Sequence, residues 1–443
     1  MVRFMMCETL FPLVPVEGLD EDGRSVPRVQ RPNRAQLELR PVDLEALLPA
    51  DHRARLVWEF VEGLELELLY AEIKAVEGHA GRPAIDPAIL MALWLYATLE
   101  GVGSARALER LCEQHDAYRW ICGGVSVNYH TLAEFRVAHG EWLDAQLTAS
   151  VATLLSEGLV ELRRVAQDGV RVRASAGAAS FHRGTRLERQ LVEAEAQVAA
   201  LREEVHEDPA ATSRRLAAAR QRAAEQRRQR VAKALAQLPE AAAKKKAADR
   251  DKARVSTTDP DSRVMKMADG GFRPAFNGQF ATDTASQVIV GVAVSNVGSD
   301  LGQAAPMVEQ IRARHGKGPD ELLVDGGFVA HDDIVALAEP EVGCLVYAPV
   351  PEPRDTSRDR HQPLPSDPQA IGEWRQRMGT EQAKQIYKQR GATSECVNAI
   401  ARNRGLRQFL VRGLAKVKAI LLWFALAHNL MRAVALRQAA AQA

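Results

Sequence analysis

Three carboxylates stand where a carboxylate calls for a reason. Asp168 lies in the middle of RRVAQDGVRVR (residues 163–173), which reads as a strand interrupted at Asp168 and Gly169. Asp325 closes the short apolar run ELLVD (321–325), just before Gly326 and Gly327. Aspartate is depleted in strands. Taken singly, each reads as a turn residue, because Asp–Gly is a hairpin signal. On two strands of one sheet, the pair can converge at a strand end. Glu395 follows Gly391 and Thr393 near the start of a helix; its alternative role is an acid that satisfies a helix N-terminus. Carboxylates converging from two strands and a helix form an oxygen-rich nest for Mg²⁺ or Mn²⁺, since such ions take a few carboxylates plus waters. Two ions ~3.5–4 Å apart can activate a nucleophile and stabilise the leaving oxygen of an in-line phosphoryl displacement.

The elements that must position these residues follow from periodicity and caps. Residues 1–42 are irregular and rich in Pro and Arg. Asp86 and Pro87 open a helix to Leu99, Ser104 caps a second over 105–115, and further helices cover 117–121 and 130–136. Short helices with glycine breaks fit a helix-turn-helix-like module, and fit an ordinary helical bundle equally well. From Leu187 the apolar residues Leu187, Leu191, Ala194, Val198, Leu201 and Val205 alternate spacings of four and three, a coiled-coil seam. Pro209 breaks it. A weaker seam through Leu216, Ala219, Ala223, Val231, Leu235 and Leu238 then implies an antiparallel hairpin over 183–254. Strands follow at 274–282 and 287–295, with the turn 283–286 between them, then a helix over 302–315, strands at 321–325 and 344–349, and long helices to the end. This order gives an α/β fold, a mixed sheet flanked by helices. Four segments result: a helical domain at 1–160, the first part of the sheet domain at 161–182, the insert at 183–254, and the remainder of the sheet domain with basic helices at 255–443.

The chain of 443 residues carries a net charge of only +1, which taken alone argues against a nucleic-acid partner. The distribution reverses this. Residues 1–150 hold more acids than bases, whereas from Lys384 onward the only acid is Glu395 among eleven Lys and Arg. Such a region is a phosphate-binding signal. Five cysteines with no close pair in sequence indicate neither a zinc site nor a disulfide framework. The N-terminus lacks the apolar core of a signal peptide, and the most apolar helical stretches, 88–99 and 419–427, are too short to span a bilayer. A cytoplasmic location with no membrane partner is expected.

Several motifs resemble the insertion-sequence transposases of bacteria, the DDE type with an RNase H-like core. GRPAIDPAILMALWLYA and NYHTLAEFR are similar to their N-terminal helical domain, and QDGVRVRASAG to the first catalytic strand. STTDPDSRVM and NGQFATD are similar to the approach to the second strand, and LLVDGGF to the segment carrying the second Asp. The stretch YKQRGATSECVNAIARNRGLRQFLVRG resembles the Tyr–Arg–Glu–Lys signature around the catalytic Glu, with Tyr387, Arg390, Glu395 and Arg402 in those places. It departs twice: the Arg-to-Glu gap is one residue longer than usual, and Arg402 replaces Lys. The resemblance implies a catalytic and metal-binding triad of Asp168, Asp325 and Glu395, holding two Mg²⁺ (or Mn²⁺) ions. It implies DNA contacts from Tyr387, Arg390, Arg402, Arg404 and Arg407. It also implies hydrolysis at element ends, strand transfer into target DNA, and a homodimer on DNA, with a coiled-coil insert after the first catalytic strand. A metal-dependent nuclease without strand transfer and an inactive DNA-binding relic are the alternatives. Among other residues, Asp283, Asp259 and Asp261 read as turn residues, Asp332 and Asp333 as helix-start acids, His130 as a surface histidine, and Trp423 and Phe424 as core.

Overall fold

The described part of the first third of the chain is helical because its apolar residues recur at helical spacing and its breaks carry caps. The structure, a computed structural model, describes residues 43–75, 83–207, 214–353 and 357–442. The helices are α1 (Arg53–Glu62), α2 (Glu67–Ala71), α3 (Pro87–Leu99), α4 (Ala105–Gln114), α5 (Asp116–Cys122), α6 (Tyr129–Ala138) and α7 (Gly140–Ser156). Asp86 caps α3 by accepting from the amide of Ala88 at 2.8 Å, with Pro87 in the first turn. Ser104 and Asn128 cap α4 and α6 in the same way. Met91 to Leu95 have no exposed surface, so α3 is a central helix rather than an amphipathic one. Cys112 and Cys122 are free thiols.

Strand β1 (Arg164–Arg173) runs without a break through Asp168 and Gly169, correcting the expected interruption. The reason is that Gly169 is paired with Gln279 in mid-ladder, not placed in a turn. The other strands of the main sheet are β4 (Arg263–Lys266), β5 (Phe272–Asp283), β6 (Ile289–Ser295), β7 (Glu321–Leu323) and β8 (Leu345–Tyr347). Strand β5 lies antiparallel to β1, β4 and β6, while β7 pairs parallel to β1, and β8 parallel to β7. Helices α11 (Ala304–His315) and α12 (His331–Ala338) connect β6 to β7 and β7 to β8. Asp332 and Asp333 lie in the first turn of α12, as expected, and Asp333 also accepts from the amide of Ala304 at the start of α11, at 3.1 Å. Asp283 is the turn residue expected, accepting from the amide and hydroxyl of Ser286.

Between β1 and β4 the chain leaves the sheet. A two-stranded ribbon, β2 (Phe181–His182) with β3 (Val255–Ser256), closes the root of an insert formed by α8 (Gly184–Glu207), α9 (Arg214–Ala236) and the short α10 (Leu238–Ala243). The helices α8 and α9 run antiparallel, since Arg227 reaches Gln197 and Glu193 while Arg220 reaches Glu204. The break expected at Pro209 lies outside the described residues. The first arm buries Leu187, Ala194 and Val198 as expected. The second buries Val231, as expected, but also Ala224 and Ala234, one position off Ala223 and Leu235, while Leu216, Ala219 and Ala223 are exposed.

The C-terminal part consists of α13 (Gln369–Gly379), α14 (Glu381–Arg390), α15 (Cys396–Asn403) and α16 (Leu414–Gln442). At 29 residues, α16 exceeds the short apolar stretch read from sequence and is long and apolar enough to cross a membrane. Of its apolar window, 67% is buried inside the protein. It packs on α3, α6, α7 and β6. Asn429 both accepts from the amide and donates to the carbonyl of Ile289, at 2.8 Å each, and Trp423 donates to the carbonyl of Arg136. Trp423 and Phe424 are core residues, as expected. One hydrophobic core thus runs from the N-terminal helices through α16 into the sheet.

Candidate active site

The register of β1 and β7 pairs Ala166 with Leu323. Asp168 follows Ala166 by two residues on β1, and Asp325 follows Leu323 by two residues just past the end of β7, so both lie beyond the same end of the β1–β7 ladder. Asp168 projects to the sheet face covered by α14–α16: its facing neighbour Val170 packs, through Gly278, against Leu421 of α16. Arg164 joins the two strands to α14, pairing with Glu321 at 2.5 Å and donating to Gln389 at 2.8 Å.

Glu395 comes from the helix above. Between α14 and α15 the helix continues through one π-turn, Gly391–Glu395. A π-turn closes on the fifth residue rather than the fourth. Residues five apart therefore face the same way, and Arg390 and Glu395 meet at 3.5 Å. The extra residue that lengthens the Arg-to-Glu gap is absorbed here. Thr393 and Ser394 form the buried side of the turn, and Gln287 at the β5–β6 connection donates to Thr393 at 3.2 Å.

The three carboxylates gather around Arg390. Its guanidinium lies 3.7 Å from Asp325 and 3.5 Å from Glu395, and its charge also acts on Asp168. Burial pushes the Asp168 carboxyl up to about 6; Arg390 opposes this, while Asp325 and Asp300 reinforce it. One Asp168 oxygen accepts from the Gly169 amide at 2.9 Å, and the other from the Asn398 side chain at 2.9 Å. Asp325 also keeps the turn role that its Asp–Gly pattern announced, accepting from the Gly327 amide at 2.7 Å. Tyr387, half-buried on α14, sits among the same charges; burial raises its phenol above the usual range.

Asn398 is the residue that sequence reasoning missed. It lies three positions after Glu395, hence on the same side of the helix, and is 4% exposed. The signal available was a polar residue on the apolar side of α15.

The basic residues divide. Arg402 and Arg407 are exposed beside one another, the Arg407 Nε donating to the Arg402 carbonyl at 3.1 Å. Arg404 is turned inward, half-buried near Arg53 and Glu100, and burial lowers its pKa. His130 is a surface residue stacked on Tyr129.

A donor set of three carboxylates around one positive group has the chemistry that hard divalent cations require. Arg390 stands in for that cation. Among the described residues, no three His, Cys, Asp or Glu side chains are gathered closely enough to hold a metal ion as they stand. The set fits in kind and charge, and Arg390 occupies its middle.

Two family models match the chain: a transposase domain (DUF772) over residues 42–138, and a transposase DDE domain over residues 355–434. The first spans α1–α6, and the second spans Tyr387, Arg390, Glu395 and Asn398. No curated protein and no solved structure matches it. A transposase domain before the sheet and a transposase DDE domain spanning Glu395 after it support an insertion-sequence transposase of the DDE type.

Proposed function

We propose that this transposase hydrolyses a phosphodiester at each element end and joins the freed 3′ end to target DNA, using Asp168, Asp325 and Glu395 as metal ligands. The observation that supports the proposal is that Asp168 and Asp325 both follow the last pair of the parallel β1–β7 ladder by two residues, with Arg390 3.7 Å from Asp325 and 3.5 Å from Glu395. The strand order, with an antiparallel β5–β6 hairpin on one side of β1 and parallel β7 and β8 on the other, supports an RNase H-like core. Residues 1–160 are read as the DNA-binding domain and 183–254 as a coiled-coil insert, with catalysis in the remainder.

Divalent cations, when bound, supply the Lewis acidity that activates water and stabilises the leaving oxygen. Asn398 fixes the Asp168 carboxylate by donating to one of its oxygens. Arg390 is placed to exchange its carboxylate partners for a DNA phosphate, and Arg402 and Arg407 to hold phosphates beyond it. Tyr387 lines the same site. Hydrolysis breaks the bond between phosphorus and the 3′ oxygen of the element and leaves a 3′-hydroxyl. Attack of that hydroxyl on a target phosphodiester forms the new P–O bond and expels the target's own 3′ oxygen. Joining two ends in one event calls for a homodimer on DNA, acting in the cytoplasm.

The test is incubation of the purified protein with DNA carrying the sequences that flank its own gene, in Mg²⁺. Cleaved ends joined to a target plasmid are expected. Cleavage without joining leaves a nuclease, and no cleavage by protein that binds those ends refutes the catalytic reading.

A further inference from the structure

The two arms of the insert differ in charge. Residues 184–207 hold six Glu against three Arg, whereas residues 214–254 hold fourteen Lys and Arg against four Asp and Glu. Cross-arm pairs do not cancel this excess: they are long, Arg220–Glu204 at 4.0 Å and Arg227–Glu193 at 3.9 Å.

The root of the basic arm is bolted to the catalytic core. Asp261, almost fully buried, accepts from Lys233 of α9 at 2.8 Å and from the amide of Leu414, at the start of α16, at 3.2 Å. Arg230, one turn before Lys233, is thereby brought beside Arg412, two residues before Leu414. Burial holds the Arg230 pKa down, the like charges of Arg412 and Arg227 add to this, and the Arg230 Nε has no hydrogen-bond partner. Arg412 is exposed, its Nε donating to the carbonyl of Ser175 at 3.2 Å. The same edge continues toward the active site. The end of β1 pairs with the segment after α15, the amide of Arg173 donating to the carbonyl of Arg407 at 3.2 Å. Arg173 is exposed, and Arg402 lies next to Arg407.

We propose that duplex DNA leaving the active site follows this edge, with Arg402, Arg407, Arg173, Arg412 and Arg230 on its phosphates, and continues along α9. The proposal rests on the transposase reading and adds the insert to the DNA footprint. Like charges held near one another at the root of the arm favour an anion between them. Guanidinium groups match phosphate by paired N–H donors, and a repeating anion suits a row of them better than isolated acidic side chains would. The α9 helix extends ~35 Å at 1.5 Å per residue, about one turn of duplex.

The test uses the full chain and a fluorescently labelled mixed-sequence duplex, with affinity measured over a range of salt. Arg230→Gln with Arg412→Gln should flatten the slope of log K against log salt by about 1.8, at ~0.9 for each phosphate no longer neutralised. Arg186→Gln with Arg189→Gln, on the acidic arm, should leave it unchanged. The melting temperature of the first double variant in low salt should stay level or rise, since a repulsion is removed. A wild-type protein that binds the duplex with a slope equal to that of the Arg230/Arg412 variant overturns the proposal, and leaves the strip to an acidic protein. A wild-type protein that binds no duplex removes the transposase reading itself, and the proposal with it.

Discussion

On one face of β1, Asp168 shares its side with Val170 and Val172, both buried. On the other, Gln167 and Gly169 meet Gln279, Asn277 and Asp300, a buried polar cluster in which both amide nitrogens of the β5 residues donate to one Asp300 oxygen, at 2.6 and 2.7 Å. The apolar side holds the Asp168 carboxylate, and the polar side holds mostly neutral amides. A buried charge is tolerated where other charges and donors compensate it. Asp168 has Arg390 and Asn398 for that, both supplied by the helix above. The amide side supplies a fixed floor, and its tightness forces the residue beneath it to be glycine. A β-carbon at Gly169 would stand 2.3 Å from Asp300 Oδ1 and 2.7 Å from Gln279 Nε2.

Each side can be broken separately. Asp168→Asn keeps the shape and removes the charge, so cleavage in Mg²⁺ should fall to background while melting temperature and DNA binding hold; the same is expected of Asp325→Asn and Glu395→Gln. Retained activity in any one of them removes that residue from the site. Asn398→Ala leaves Asp168 charged but unheld, and should reduce cleavage ~10–100-fold, the usual range for a group that orients a ligand. A rate equal to wild type would show that the Asn398 amide does not position the carboxylate. Gly169→Ala attacks the amide side. It should destabilise the fold by ~1–3 kcal/mol, as overpacking does, read as a lowered denaturation midpoint; an unchanged midpoint would mean that the cluster yields freely.

Arg390→Gln sharpens the comparison from above. Removing the cation that sits among the carboxylates should tighten Mn²⁺ binding to DNA-free protein several-fold, measured by electron paramagnetic resonance. Equal or weaker binding would show that Arg390 does not compete with metal. The smallest effect concerns the pin between α16 and the sheet. His428 shares a 2.9 Å hydrogen bond with the carbonyl of Gln287, and burial brings its pKa down to about 4. The unfolded chain therefore binds the proton more readily between the ordinary value of 6.5 and 4. Stability from this group is full above the ordinary value and is lost as pH falls toward the depressed one, at about 1.4 kcal/mol per unit of difference. His428→Gln should flatten the pH dependence of the melting temperature in that window, and an unaltered slope would assign the dependence elsewhere.

Local signals carried most of the elements. Asp86–Pro87 marks the start of α3 because a cap and a first-turn proline act within a few residues. The two aspartates were legible as strand residues needing a reason. What was hidden depends on distance. Asp259 and Asp261 read as a turn around Pro260, and a turn is there, the Asp259 carbonyl accepting from the Ser262 amide at 3.1 Å. Their side chains, however, tie α9 and the start of α16 together, partners 24 to 154 residues away. Asn398 and the floor beneath Gly169 were hidden for the same reason: a polar residue's partner across the sheet has no trace in its neighbours. In the second arm of the insert, an alanine-rich stretch offers several faces of similar apolarity, and the choice of Ala224 over Ala223 is made by the facing arm.

The long helix α16 has a consequence for the order of assembly. Strand β1 leaves the ribosome early, yet Glu321 of its parallel partner β7 comes 157 residues after Arg164, and the helix that buries both α3 and β6 comes after that. Segments so far apart pair slowly, since the loop between them must be ordered first. Until residue 414 and beyond have emerged, the apolar surface of α3, Met91 to Leu95, lacks one of its covers. The nascent chain thus carries α3 with one apolar face uncovered until α16 is made, and Glu395 joins Asp168 and Asp325 only shortly before that wall closes the core.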